Sequence, residues 1–397
     1  MLIGSILAQA AQKRTGSRPV LFDLARASHR RTLEVLWKHG EIKHVVDDYH
    51  EQLKELFQVE NPTLVYQKGF EAAFKAHLKK LSAQKGGLAW SGNWVFFPWN
   101  DTLVHLLPEE QFQRVRTARN RNLISEKEQR QFYQATIGIG GLSVGNSVAL
   151  AIVLQGGARR IRLADFDRLS LSNLNRIRGD TTSLGLRKVE MTARQIYVLN
   201  PYAIVETFPE GLRRTNIARF FAGPPKLDLV IDEIDNLAVK LLIRQEARRR
   251  KVPVLMGADN GDNAVVDIER YDLDPKLRFF HHRLGNPTFG TLSKLDKFGI
   301  GRTITKHIGP ENVTERMQAS LLEIGKTIVS WPQLGGAALL NGVGVAYCAR
   351  KILSKQPLEK DRALLSLDEK FEPAYFSKRK KLKRSRAAAS FKKIFKL

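Results

Sequence analysis

The chain has 397 residues, with 65 Lys or Arg against 40 Asp or Glu, a formal charge of +25 and one cysteine, Cys348. A lone thiol excludes an internal disulfide and any zinc site built on several thiolates, and it fits a reducing, cytoplasmic setting. No apolar run approaches bilayer-spanning length, and the charge suits an anionic partner such as a nucleotide, RNA or a membrane surface.

In chain order, residues 1–14 are expected to be a frayed helix and not an export signal, because no basic residue precedes their apolar stretch. Residues 1–117 form an N-terminal extension. Helical periodicity covers 24–39, 45–57 and 70–81. The aromatic run Trp94-Val95-Phe96-Phe97 meets Pro98-Trp99-Asn100-Asp101, and the apolar run 103–107 follows, which predicts two short strands around a turn. No catalytic motif occurs in this extension.

Residues 118–355 alternate apolar strands with amphipathic helices, so a mainly parallel sheet flanked by helices is expected, an α/β fold of Rossmann-like type. Strands are predicted at 135–139, 161–164, 204–208, 227–231, 252–256 and 265–269. Helices are predicted at 144–155, 186–199, 237–250 and 335–353. The stretch 284–330 has weak periodicity and reads as a mobile loop over the site. Residues 374–397 form a basic tail, with ten Lys or Arg and no acid from 378 onward. The tail is expected to lack fixed structure at its start. Phe391, Ile394 and Phe395 at its end share one helical face that can dock on a membrane, on RNA or on the protein itself.

The segment 136–145, Thr-Ile-Gly-Ile-Gly-Gly-Leu-Ser-Val-Gly, carries an apolar strand into glycines and then a helix. Gly138, Gly140 and Gly141 allow a sharp turn and close backbone approach, and the N–H groups at the helix start attract phosphate oxygens. A turn of this kind can also serve packing alone. Asp165, at the end of the next strand, is placed to accept hydrogen bonds from ribose hydroxyls. To this point NAD, FAD and ATP are all allowed.

Further along stand Asp165-Phe-Asp167, then Leu171-Ser-Asn-Leu-Asn-Arg176, Gly185-Leu-Arg-Lys188-Val189 and Val230-Ile-Asp-Glu-Ile-Asp235-Asn236. This ordered set resembles the ThiF family, which includes the adenylating enzymes of thiamin and molybdopterin biosynthesis and the ubiquitin-activating enzymes. The resemblance implies ATP-dependent adenylation of a carboxylate, with release of pyrophosphate. It implies that Arg176 and Lys188 contact the phosphates, that Asn173 sits beside them, that Asp165 holds the ribose and that Asp235 positions magnesium. Arg121, in Arg119-Asn-Arg-Asn-Leu-Ile124, matches the family arginine donated across a homodimer, and a surface basic turn is the alternative. The acceptor would be a ubiquitin-like protein, a peptide or a small carboxylate.

Three departures from the family pattern stand out. Ser143 occupies the sixth position of the glycine motif. The paired cysteines that bind zinc in many relatives are absent, so no zinc is expected. Cys348 lies within an apolar helix and reads as packing, so no thioester step is assigned to it. His281 and His282 are adjacent and cannot chelate together from a strand, and Glu233 reads as a solvated carboxylate. A tRNA-acting dehydratase or cyclase of the same family, or a non-catalytic nucleotide-binding adaptor, are the alternative functions.

Overall fold

A computed structural model describes residues 16–397, so the expectation for 1–14 lies outside the described residues. The chain divides into two compact units, one running up to Glu126 and including Tyr197–Tyr202, the other Lys127–Ile196 with Ala203–Leu397.

The N-terminal unit contains β1 (Val20–Phe22), α1 (Ala27–Lys38), β2 (His44–Val46), α2 (Tyr49–Glu60), α3 (Phe70–Ser82), β3 (Asn93–Phe97), β4 (Thr102–Leu106) and α4 (Glu109–Arg116). Its sheet has the order β1-β3-β4-β2. The expected aromatic hairpin is its centre, with Val95 opposite Val104. Tyr49, Leu53, Leu56, Phe74 and Leu107 form one core, while Phe22, Ile42, Phe96 and Leu103 form another. The segment Tyr197–Tyr202 joins this unit through Tyr202 Oη, which donates to the Leu107 carbonyl at 2.5 Å, and through Gln113 Nε2, which donates to Asn200 Oδ1 at 2.8 Å.

After α5 (Glu126–Gln134), the second unit runs β5 (Thr136–Gly140), α6 (Val144–Leu154), β6 (Arg160–Ala164), α7 (Lys188–Leu199), β7 (Ile204–Phe208), α8 (Ile217–Ala222), β8 (Leu229–Asp232), α9 (Leu237–Arg250), β9 (Val254–Asn260) and β10 (Asn263–Glu269). Then come α10 (Phe289–Ser293), α11 (Lys297–Ile308), α12 (Glu315–Leu322), α13 (Gly335–Leu353), β11 (Arg362–Leu365), α14 (Leu367–Phe371) and α15 (Lys378–Phe395). The seven-stranded sheet has the order β11-β10-β9-β8-β5-β6-β7. Strands β7, β6, β5, β8 and β9 are parallel, and β10 and β11 form antiparallel pairs at the sheet's other edge. The α/β class is as expected. The central parallel strands are apolar because helices cover both faces.

The chain winds outward from β5 to β7 and then returns to place β8 on the other side of β5. That reversal opens a crevice at the carboxyl ends of β5 and β8, where doubly wound sheets hold ligands. Register fixes what meets there. Gly140 pairs with Ala164 on one side and Asp232 on the other, so Gly141, Asp165 and Glu233 leave the sheet at one level.

Helix α13 packs closely on α6, since a Cβ at Gly342 would strike the Ser147 backbone. Beneath the sheet lies a chain of buried charges. Arg244, wholly enclosed, bridges Asp232 at 2.6 Å and Glu269 at 2.7 Å, with its guanidinium 4.0 Å from the Phe280 ring centre. Burial alone would raise the Asp232 carboxyl, but Lys240 and Arg244 hold it below its ordinary value.

Two expectations are corrected. The stretch 284–330 is not a loop: it holds α10, α11 and α12. Each has a side-chain N-cap, with Thr288 accepting from Thr291 N–H, Asp296 from Gly299 N–H and Thr314 from Met317 N–H. These caps supply local stability that periodicity does not reveal. The basic tail is helical over Lys378–Phe395. Phe391 is buried with Val265, Ile308, Val313, Met317 and Leu321, and Lys383 pairs with Glu315 at 2.7 Å. Of the apolar face at its end, Phe391 and Phe395 pack on this protein's own core while Ile394 is exposed, and that contact fixes a segment whose charge argues for disorder. No helix among the described residues is long and apolar enough to cross a membrane.

Candidate functional site

The crevice opens into a cavity of about 820 Å³ within the second unit. Gly141, Ser143, Asp165, Lys188, Glu233, Asp235 and Asp259 line it. The three motif glycines have different roles. Gly138 and Gly140 leave room for Leu227, Phe220 and Ile234, which is a packing role. Gly141 has φ +82°, and a Cβ there would drive into the Glu233 carbonyl. Only glycine suits that combination. Its N–H donates to the Ala164 carbonyl at 2.8 Å, which turns the chain into α6.

Asp165 is buried and braces this turn. One carboxylate oxygen accepts the Leu142 N–H and the other the Asp167 N–H, both at 2.7 Å. Burial pushes its carboxyl up, against the pull of Lys188 and of those N–H groups. Lys188, at the start of α7, is buried and pairs with Asp167 at 2.8 Å. Asp167 therefore belongs to the cluster.

Arg176 does not line the cavity itself and touches the cluster through Ser143, which does. Its Nε donates to Ser143 Oγ at 3.1 Å, and its Nη1 donates to the Ser172 carbonyl and to Asn175 Oδ1. The serine at the sixth motif position thus anchors the arginine at the first turn of α6. Burial lowers the Arg176 pKa, while the fields of Asp259 and Asp235 oppose that shift. Asn173 is engaged locally. Its Oδ1 accepts the Ser170 N–H in a capping box, and it does not line the cavity. Arg121 falls in the N-terminal unit, in extended backbone after a short helical turn at Ala118–Asn120.

Asp235 is exposed at the cavity rim, between β8 and α9, and makes no hydrogen bond or ion pair among the described residues. Asn236 beside it caps α9 by accepting from the Ala238 and Val239 N–H groups. The described residues hold no cluster of three or more His, Cys, Asp or Glu able to cage a metal. Magnesium fits such a rim nonetheless, because it takes one or two carboxylates and completes its shell with phosphate oxygens and water.

Two carboxylates go beyond what the sequence reveals. Glu233, expected to be solvated, is half-buried; its Oε1 accepts the Gly257 N–H at 2.8 Å, and burial pushes its carboxyl well up. Asp259 carries no motif of its own. It stands near the end of β9, as Asp165 directly follows β6, and that placement is the signal that marks it. Gln333 and Asn341 donate to it at 3.2 and 3.3 Å, and burial raises it to about 6.

For Asp259 the protonated form is the one the fold favours. Its contribution to stability is complete below the unfolded pKa and lost as pH rises through about 6. Asp259→Asn is therefore expected to raise stability at pH 7.5, by up to about 3 kcal/mol, with the gain shrinking toward pH 4. Urea unfolding at both pH values checks this, and a gain larger at the lower pH contradicts it.

Cys348 is buried in α13 and its thiol is pushed up to about 11 by burial, the opposite of what a nucleophile needs. The adjacent histidines do not act as a pair: His281 Nε2 meets the Ile268 carbonyl at 2.8 Å and its Nδ1 meets Asp361 at 3.1 Å.

Sheet order, glycine turn and the acid-lined crevice at the strand reversal define a doubly wound α/β domain. Residues 117–271 match the model of the ThiF family, and this part of the chain is a ThiF family domain. The chain is similar to the uncharacterized protein MT1398 of Mycobacterium tuberculosis, 36% identical over 269 residues, covering 68% of this chain and 37% of that protein. It is also similar to the molybdopterin-synthase adenylyltransferase of Haemophilus influenzae, 29% identical over 160 residues, covering 40% of this chain and 59% of the relative. The chain thus spans less than two thirds of the length of these relatives. Among solved structures, E. coli tRNA N6-threonylcarbamoyladenosine dehydratase, TcdA, in complex with AMP, aligns with a TM-score of 0.44 and 21% identity, covering 61% of this chain and 95% of that one.

Proposed function

We propose that the chain is an ATP-dependent adenylyltransferase that activates a carboxylate. The observation that carries this reading is one crevice lined by the Gly141 turn, Ser143, Lys188 and the exposed Asp235, with Arg176 bonded to that Ser143 from outside the lining.

In the reaction, a carboxylate oxygen of the acceptor attacks the α-phosphorus of ATP. A P–O bond to the acceptor forms as the P–O bond to pyrophosphate breaks, leaving an acyl-adenylate. Negative charge grows on the phosphate oxygens, so fixed donors lower the barrier. The N–H groups at the start of α6 face one set of oxygens, and Lys188 and Arg176 supply full positive charge. Asp165 keeps the turn in shape and offers its remaining lone pairs to ribose hydroxyls. Asp235 would hold magnesium, which when bound neutralises charge on the leaving pyrophosphate. The acceptor proposed is a ubiquitin-like protein tail, a peptide or a small acid.

The test is acceptor-dependent exchange of labelled pyrophosphate into ATP, with peptides, small acids and tRNA as candidates. Exchange that appears only with a carboxylate acceptor supports the proposal. Tight ATP binding without exchange for any acceptor favours the adaptor reading, and exchange with tRNA alone favours the dehydratase reading.

A further inference from the structure

Helix α15 opens with Lys378, Arg379, Lys380 and Lys381, has no acid in its first turn, and carries no acid anywhere along its length. A helix N-terminus is the positive end of the backbone dipole, so cations there cost stability, as do like charges three or four residues apart. The protein answers part of this charge itself. Lys380 pairs with Glu372 at 3.2 Å, Lys383 with Glu315 at 2.7 Å and Lys392 with Glu311 at 3.5 Å, while Arg384 lies over the Tyr375 ring at 3.8 Å. Lys378, Arg379, Arg386 and Lys393 are exposed, and their side chains make no hydrogen bond or ion pair among the described residues. Arg379, Arg386 and Lys393 recur every seven residues, so they stand on one side of the helix about 10.5 Å apart. The opposite side is the docked one, where Ala388 and Phe391 are buried and Phe395 packs on the same core.

This geometry selects among anionic partners. A surface helix holds to a membrane by burying an apolar face among the lipids, and here that face is spent on the protein's interior. The exposed apolar residues of α15 are Leu382 and Ile394, about 18 Å apart along the axis, which is too far for one patch. A single nucleotide would engage one or two of the free cations and leave the rest. A nucleic acid presents phosphates without interruption and needs no apolar surface, so each cation of a row about 21 Å long finds an anion. We infer that the outer side of α15, with Lys378, Arg379, Arg386 and Lys393, binds the phosphate backbone of a nucleic acid. Such a contact is strongly salt-dependent and tolerant of sequence, because phosphates carry no base information. It also supplies the counter-charge that the first turn of α15 lacks. The surface does not depend on the adenylation reading.

The experiment uses the full chain and follows fluorescence anisotropy of labelled RNA and DNA duplexes of one sequence, about 20 base pairs long, from about 50 to 200 mM salt. Replacing Arg379, Arg386 and Lys393 together by Gln is expected to flatten the plot of log affinity against log salt by about 2.7, about 0.9 for each lost contact. Binding at about 100 mM salt should weaken roughly tenfold or more. A thermal unfolding curve shows that the variant folds, and Arg386→Gln alone, with an expected loss of about 0.9 in slope, serves if it does not. The control is Lys75→Gln, Lys79→Gln and Lys80→Gln together in α3, three exposed cations whose loss changes net charge equally. That variant should keep the native slope. Tighter binding of one duplex identifies which nucleic acid is taken, and equal binding means that backbone charge alone is read; both support the inference. Equal losses in the α15 and α3 variants would mean that net charge alone drives binding, and would overturn it. So would a native slope in the α15 variant. Vesicles of phosphatidylcholine with phosphatidylserine complete the series, and binding to them but to neither duplex assigns the row to a membrane and overturns the inference as well.

Discussion

Asp235→Ala is expected to lower magnesium-dependent pyrophosphate exchange about 10²–10³-fold, the scale seen when one group that stabilises transition-state charge is removed. Its stability should change by no more than about 0.5 kcal/mol, because the side chain is exposed and makes no described contact. The neighbouring Asn236 still caps α9, so the helix start is untouched. Steady-state exchange across a magnesium titration, with a thermal unfolding curve alongside, makes the measurement. Asp235→Asn should retain some activity and need more magnesium. Undiminished exchange in Asp235→Ala would remove this residue from the phosphate site and weaken the case built on it.

The largest effect on stability is expected at Arg244. Arg244→Leu leaves Asp232 and Glu269 enclosed without their shared cation, and breaking a buried pair by removing one partner costs about 3–5 kcal/mol. The pH dependence separates charge loss from simple repacking. In the native chain the depressed Asp232 carboxyl contributes stability above its unfolded pKa, and this is lost as pH falls. In the variant the two acids favour their protonated forms, so the penalty should grow from pH 5 to pH 8. Urea midpoints at both pH values test it. A penalty independent of pH would mean that packing around Phe280, and not charge, sets the cost.

Much of the second unit is legible in the sequence because period and punctuation agree there. β7, α9 and α13 begin and end at the expected residues, since apolar runs meet Asn, Gly or Pro near their ends. The stretch 289–322 is hidden for the opposite reason. Its helices are short, Gly299 and Gly301 interrupt the pattern, and what starts them is a capping side chain. The site shows the same contrast. Gly141, Asp165 and Lys188 sit where the strand-turn-helix pattern puts them, because the backbone fixes them. Arg176 is held by Ser143 across 33 residues, and Glu233 by the Gly257 N–H across 24. Such pairings depend on tertiary placement, which no local window contains. Asn173 has a pairing no motif announces: its side-chain oxygen accepts the Ser170 N–H, and its amide N–H groups are the donors that remain.

The boundary at residue 271 runs through the lining of one cavity. Strand ends upstream of it carry the groups suited to phosphate, while Ile300, Ile304 and Ile308 of α11 and the aromatic rings of Trp331 and Phe395 come from downstream. Substitutions in the downstream helices can therefore reshape part of the cavity wall while the strand-end residues of the matched segment stay as they are.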